Sequence, residues 1–258
     1  MAGIYIHIPF CRHKCSYCDF VSFPDKTEYA EAYMACLYKE MKMRGEELKD
    51  YEFDSVYFGG GTPSYIAPKF ILGAMNRLRE CFRITKDAEI TLELNPGTIG
   101  ENKVKTYLQA GINRFSIGLQ TAIDSQLVDL NRIHSARDYV YATTLLKDQN
   151  FSTDIMLGLK NQTKEDIKKT ILLADACGSK HISMYALTVE DGTPIYTDYL
   201  MYPIRSHAAA CASLWLLTKL TWVPTGVTKG WPFRVGILAR AKGVSAEVKP
   251  SISQGPPI

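Results

Sequence analysis

No stretch of this 258-residue sequence is apolar for long enough to cross a bilayer; the longest largely apolar run, Ala208–Leu217, is about half of what the hydrocarbon core demands. Nor is there a Lys/Arg cluster dense enough to track a phosphate backbone, and the formal net charge is only +3, which argues against nucleic acid as a partner. With 18 Gly, 12 Pro and 46% hydrophobic residues, the chain is neither collagen-like nor low-complexity and has enough apolar side chains for a core. No internal repeat suggests a solenoid. The first residues, Met1-Ala-Gly-Ile-Tyr-Ile-His-Ile, run directly into a strand-like pattern without the charged and apolar segments of a secretory leader. The expected location is therefore the cytoplasm.

The composition breaks near residue 206. Residues 207–258 hold one acid, Glu247, against six Lys/Arg, with all three Trp and no Tyr, Asp, Asn or Met. Residues 1–206 hold all 15 Tyr, all 8 Met and 26 of the 27 acids. The expectation is a core domain over 1–206 and an atypical basic, disordered tail over 207–258.

Within 1–206 short β-rich runs alternate with longer amphipathic ones. Strands are expected at Ile4–Ile8, Ser55–Phe58, Glu89–Leu94, Arg114–Ile117, Thr153–Leu157 and His181–Ala186. Helices are expected at about Lys26–Lys49, Pro68–Cys81, Gly100–Ala110, Ala136–Gln149 and Thr163–Cys177, with Thr98, Gly111, Thr163 and Gly178 as start and stop signals. Six strands joined by five long crossovers imply an α/β fold with a parallel sheet. In such sheets chemistry gathers at the carboxyl ends of the strands. The unusual residues fall there: Cys11, Cys15 and Cys18, the run Gly59-Gly60-Gly61-Thr62-Pro63, then Glu93, Gln120 just after the fourth strand, and Asp154.

Seven Cys are an odd number, and three in Cys-x3-Cys-x2-Cys spacing are too crowded for a disulfide framework. Three soft thiolates in one loop suit an iron–sulfur cluster; a zinc site completed by His13 or His7 and plain buried thiols are the rival readings. Cys36, Cys81, Cys177 and Cys211 are scattered and read as packed, inert thiols. The glycine triplet is neither a dinucleotide fingerprint nor a P-loop; it is a backbone that a ligand can approach closely, or a plain tight turn. Glu93, between Leu92 and Leu94, needs a cationic or multiply donating partner, either a ligand or a salt bridge to Arg114 or Lys103. Arg132 has a plain alternative reading as a solvated helix-end charge.

The segment Tyr5-Ile-His-Ile-Pro-Phe-Cys11-Arg-His-Lys-Cys15-Ser-Tyr-Cys18-Asp-Phe20, followed by Gly59-Gly-Gly-Thr-Pro-Ser64, resembles the radical S-adenosylmethionine (SAM) superfamily, in its coproporphyrinogen III oxidase and heme chaperone branch. The resemblance covers roughly residues 3–200 and implies an open (β/α)6 partial barrel. It further implies a [4Fe-4S] cluster on Cys11, Cys15 and Cys18 whose remaining iron takes SAM. Carried over by motif, Tyr5 and Tyr17 flank the cluster and nucleoside, Gly60, Gly61 and Thr62 line the methionyl end, and Glu93, Gln120, Arg132, Asp154 and Ala186 supply further SAM contacts.

Two branches share these motifs. The oxidase resembles this chain but carries a longer N-terminal extension and a fourth cysteine where Phe20 stands here; both departures favour the heme chaperone, which binds heme and hands it to client proteins. The stretch Val189-Glu-Asp-Gly-Thr-Pro194 points the same way. The implied partners are SAM, heme or porphyrin, an electron donor and heme-accepting clients. An inactive iron–sulfur scaffold is the third reading. The His-Asn-x-x-Tyr-Trp stretch linked to heme in the chaperones has no match around His207, Trp215 or Trp222, so the tail is expected to be a truncated or frameshifted segment.

Overall fold

The computed structural model describes residues 2–201 and 237–241, side chains through residue 197. The elements are β1 (Ala2–Ile8), β2 (Phe10–Cys11), β3 (Phe23–Pro24), α1 (Ala30–Glu47), β4 (Glu52–Gly60), α2 (Pro68–Cys81), β5 (Arg83–Leu94), α3 (Glu101–Gln109), β6 (Arg114–Gln120), α4 (Asp124–Asp129), α5 (Ala136–Leu145), β7 (Phe151–Leu157), α6 (Lys164–Ala176), β8 (His181–Ala186), α7 (Pro194–Met201) and β9 (Ile237–Ala241). In the main sheet β1, β4, β5, β6, β7 and β8 lie side by side in chain order, all parallel. The two ends, β1 and β8, do not pair, so the sheet is an open barrel of six strands, as expected. The proposed boundary at 206 and most of the 207–258 tail lie outside the described residues. The exception corrects the expectation of a disordered tail at one place: 237–241 form β9, antiparallel on the free edge of β1.

Alternation along each strand builds the barrel. Ile4, Ile6 and Ile8, then Val56 and Phe58, Ile90, Leu92 and Leu94, and Phe115, Ile117 and Leu119 are all buried in the core with Met34, Leu37 and Met41 of α1, and Ile71, Ala74, Met75 and Leu78 of α2. Those helical residues recur at intervals of three and four, the spacing of one helix face. The intervening strand residues are small or polar and line the concave face: Tyr5 and His7, Tyr57 and Gly59, Thr91 and Glu93, Arg114, Ser116 and Gly118, Ser152 and Asp154. A sheet covered on both faces is apolar on both; the polar alternate face is the mark of a lumen. Chemistry therefore runs down the lumen as well as around the rim, which strand ends alone did not predict.

The start signals are mixed. Thr163 caps α6 in a reciprocal pair with Asp166, and Ser135 does the same for α5 with Asp138. Thr98 does not start α3: its cap is Gly100, and the Thr98 hydroxyl instead donates to the Asn95 carbonyl at 2.8 Å. Among the described residues no helix is long and apolar enough to cross a membrane.

Candidate functional site

The three cysteines sit on one closed loop. Its neck is the β2–β3 pair, in which Phe10 faces Phe23 and Cys11 faces Pro24. The far side is clamped by the turn after α4: the Ser16 amide donates to the Leu130 carbonyl at 3.1 Å and the Asn131 side-chain amide to the Lys14 carbonyl at 2.9 Å. The start of α7 adds the Ile195 amide on the Ser16 carbonyl at 2.9 Å. Cys11, Cys15 and Cys18 are all free thiols, Cys11 buried and the others half-buried. Burial pushes the Cys11 thiol up, and that of Cys18 up to about 11, so without a metal both are held protonated.

Among the described residues no three Cys, His, Asp or Glu side chains are already drawn together as a ligand shell. The donor chemistry nevertheless fits a cluster: three soft sulfurs on one loop. His7 does not complete a zinc set. Its Nε2 donates to the Val21 carbonyl at 2.8 Å, so in the neutral ring Nδ1 accepts from the Tyr5 hydroxyl at 3.2 Å, and burial lowers its pKa to keep it neutral. His13 is exposed. Of the other cysteines, Cys81 and Cys177 pack against the core as expected; Cys36 is exposed, which corrects its reading as a packed thiol, and Cys211 lies outside the described residues.

The glycine turn seats this loop. Gly60 has φ of 112°, and a Cβ there would stand 2.6 Å from the His7 ring. A Cβ on Gly61 would stand 2.9 Å from the Phe10 carbonyl oxygen and 3.0 Å from the Cys11 sulfur. The Thr62 amide donates to the Phe10 carbonyl at 2.8 Å, and its hydroxyl to Cys11 Sγ at 3.6 Å. These contacts exclude an independent tight turn: the glycines are the clearance through which β4 meets the cysteine loop.

Glu93 projects from β5 into the lumen, half-buried. Its Oε1 accepts from the Tyr57 hydroxyl at 2.7 Å and its Oε2 from the Gly60 amide at 3.3 Å. Neither expected salt bridge forms. Arg114 lies against Glu89, at 3.8 Å, and donates to the Thr91 and Ser152 hydroxyls. Lys103 donates to the Ser64 and Tyr65 carbonyls. Burial, helped by the nearby Asp154 charge, raises the Glu93 carboxyl to about 7 against the pull of Tyr57 and the Gly60 amide. Asp154 is likewise raised by burial, and accepts from the Ser116 hydroxyl at 2.8 Å.

Arg132 is no solvated charge. It lies in the turn between α4 and α5, with Nη2 donating to the Gly118 carbonyl at 2.8 Å and Nη1 reaching Tyr17 Oη at 3.4 Å and Cys15 Sγ at 3.5 Å, while its buried Nε has no partner. Gln120 is not beyond β6 but its last residue, in a left-handed conformation with φ of 69°, where the register with β7 shifts. Its Oε1 accepts from the Tyr185 hydroxyl at 2.6 Å. Ala186 ends β8 opposite Leu157. Tyr5, Tyr17, Gly60, Gly61, Thr62, Glu93, Gln120, Arg132 and Asp154 thus meet at one rim and the lumen beneath it. Tyr57, Ser116, Asn131 and Tyr185 belong to the same assembly and went unmarked in the sequence; His7 belongs to it too, and the sequence marked it only as a candidate zinc ligand. The alternation of polar residues in β4 and β6 was the signal for Tyr57 and Ser116; the contact of Asn131 crosses too much chain to leave one.

The sequence profile of the radical SAM superfamily matches residues 5–174. The chain belongs to the radical SAM superfamily. The match runs from β1 through most of α6, so it includes the cysteine loop, the glycine turn and the polar lumen. A radical SAM protein uses a [4Fe-4S] cluster and SAM, and membership implies both here. Curated relatives include the heme chaperone HemW of Buchnera aphidicola subsp. Schizaphis graminum, 38% identical over 208 residues, covering 80% of this chain and 55% of the relative. HemW of Haemophilus influenzae is 37% identical over 199 residues, covering 74% and 52%. Among solved structures, the radical SAM coproporphyrinogen III oxidase HemN of Escherichia coli superposes with a TM-score of 0.67 at 22% identity, over 76% of this chain and 51% of that one. This likeness bears out the fold. The chain spans about half the length of the curated relatives it matches.

Proposed function

We propose that this chain forms the cofactor-binding barrel of a HemW-type heme chaperone. One observation carries the reading: three unpaired thiols on a clamped loop stand at the same rim as Glu93, an acid whose hydrogen-bond donors are neutral. The chaperone reading over the oxidase is supported by the HemW relatives and by Phe20, half-exposed, in place of a fourth cysteine.

In this reading Cys11, Cys15 and Cys18 hold the cluster, with Thr62 and Arg132 donating to two of the sulfurs. When bound and reduced, the cluster supplies the electron that cleaves SAM to methionine and a 5′-deoxyadenosyl radical. Glu93 takes the SAM ammonium, Gly60, Gly61 and Thr62 line the methionyl end, and Tyr5, Tyr17, Gln120, Arg132, Asp154 and Ala186 complete the pocket. Arg132 suits the carboxylate, since a guanidinium with an unpartnered Nε has a donor to spare. Heme or porphyrin, an electron donor and heme-accepting clients are the proposed partners. The unpaired thiols suit the reducing cytoplasm.

Anaerobic reconstitution followed by iron, sulfide and absorption measurements tests the cluster, with four irons and four sulfides per chain expected and zinc without sulfide overturning the assignment. Replacing Cys36, Cys81 or Cys177 by Ala is expected to leave cluster content unchanged. Reduced protein is expected to cleave SAM without converting coproporphyrinogen III to protoporphyrinogen IX; formation of that product would make the chain an oxidase.

A further inference from the structure

The concave face of β4 carries a residue that no motif marks. Tyr57 lies two positions before the glycine triplet, its ring stacked on Tyr5 with centroids 6.1 Å apart and planes 19° apart. Its hydroxyl donates to Glu93 Oε1 at 2.7 Å. Between them stands Gly59, where a Cβ would fall 2.9 Å from the Tyr57 ring, 3.0 Å from the Tyr5 ring and 3.1 Å from Glu93 Oε2. Any side chain at 59 would push the two rings and the carboxylate apart.

We infer that Tyr57 is a positioning residue for Glu93: with the Gly60 amide it fixes one carboxylate oxygen each, so that the acid presents its remaining lone pairs, and its uncompensated charge, to the ammonium group of SAM. This rests on the proposed role of Glu93. The two oxygens are held by different strand positions, and the hydroxyl is the shorter contact, so the orientation of the carboxylate depends mainly on Tyr57. Both donors are neutral. The positive charge that compensates an ionised Glu93 must then come from the ligand, which is how such a site distinguishes an alkylammonium from a neutral group of the same size.

The groups facing Glu93 are Tyr57 from β4, Tyr5 from β1 and Asp154 from β7, with Arg114 beyond Tyr57. Burial and Glu93 keep the Tyr57 hydroxyl protonated, hence a donor throughout the working pH range. Removing it takes away a hydrogen bond that favours the charged acid, and Glu93 then ionises at higher pH.

The test is SAM affinity, measured by equilibrium dialysis on anaerobically reconstituted protein, for the wild type, Tyr57→Phe, Glu93→Gln and the double variant between pH 6 and 9. Tyr57→Phe keeps the ring and its stacking, and iron content with circular dichroism checks that each variant is folded and loaded. The expected result is an affinity about tenfold weaker for Tyr57→Phe, a binding midpoint moved to higher pH, and no further loss when Tyr57→Phe is added to Glu93→Gln. An unchanged affinity and midpoint in Tyr57→Phe, or the same loss in both backgrounds, overturns the positioning role while leaving Glu93 in place. Wild-type affinity in Glu93→Gln overturns the Glu93 assignment and this inference with it.

Discussion

At the scale of single residues, the site is built from groups held away from their usual ionisation. Burial raises the folded-state carboxyl of Glu93 from 4.5 to about 7, so ionising it works against the fold. The protein is therefore most favoured, as far as Glu93 is concerned, below about pH 4.5; it loses stability as pH rises toward about 7 and carries a constant penalty above that. The penalty is at most roughly 3 kcal/mol at 1.36 kcal/mol for each pH unit. Glu93→Gln is expected to raise the thermal midpoint of the ligand-free protein at pH 8 and to change it little near pH 4.5; an equal effect at both would disprove the linkage. Gly60 makes a complementary case. Its φ of 112° and the 2.6 Å approach to His7 leave no room for a Cβ, so Gly60→Ala is expected to displace the His7 tether and to lower the iron retained per chain after reconstitution.

At the scale of elements, the strand positions were legible because the apolar period was. His181–Ala186 and Pro68–Cys81 coincide with the expected segments, whereas β5 begins at Arg83, six residues before the expected Glu89, since a charged strand end carries no apolar signal. Two helices were not legible at all. α4 has only six residues, too few for a helical period, and α7 begins at Pro194 without an amphipathic stripe. These two elements flank the cysteine loop, so the half of the site that reads directly from motifs is the ligand-facing half, and the half that clamps it is tertiary. This division predicts separable mutant effects. Asn131 holds the Lys14 carbonyl at 2.9 Å from a left-handed conformation with φ of 54°, so Asn131→Ala costs about 1 to 2 kcal/mol and loosens the loop. Thr163→Ala removes the α6 cap at a similar cost of about 1 kcal/mol, outside the hydrogen bonds that clamp the loop. Chemical denaturation is expected to show comparable losses for both, and reconstitution to show reduced cluster content for Asn131→Ala only.

At the scale of the molecule, the failure of β1 and β8 to pair with each other decides what the interior can be. A closed barrel of eight parallel strands wrapped by helices packs its interior with layers of side chains. Here β1 and β8 do not meet, and the concave face between them carries Tyr5, Tyr57, Glu93, Ser116 and Asp154 instead of an apolar filling. Such an interior leaves charged and polar groups without their full complement of partners until a ligand arrives, so binding and stability are coupled. A ligand at a hundred times its dissociation constant stabilises the native state by about 2.7 kcal/mol, which for a domain of this size is a rise in the thermal midpoint of about 5 to 10 °C. SAM is expected to produce that rise in the reconstituted protein at pH 8, where Glu93 is ionised. The rise is expected to be much smaller at pH 6, where the acid is mostly protonated, and nearly absent in Cys15→Ala, which lacks one of the proposed ligands of the cluster. A rise of the same size in Cys15→Ala would place SAM somewhere other than beside the cysteine loop.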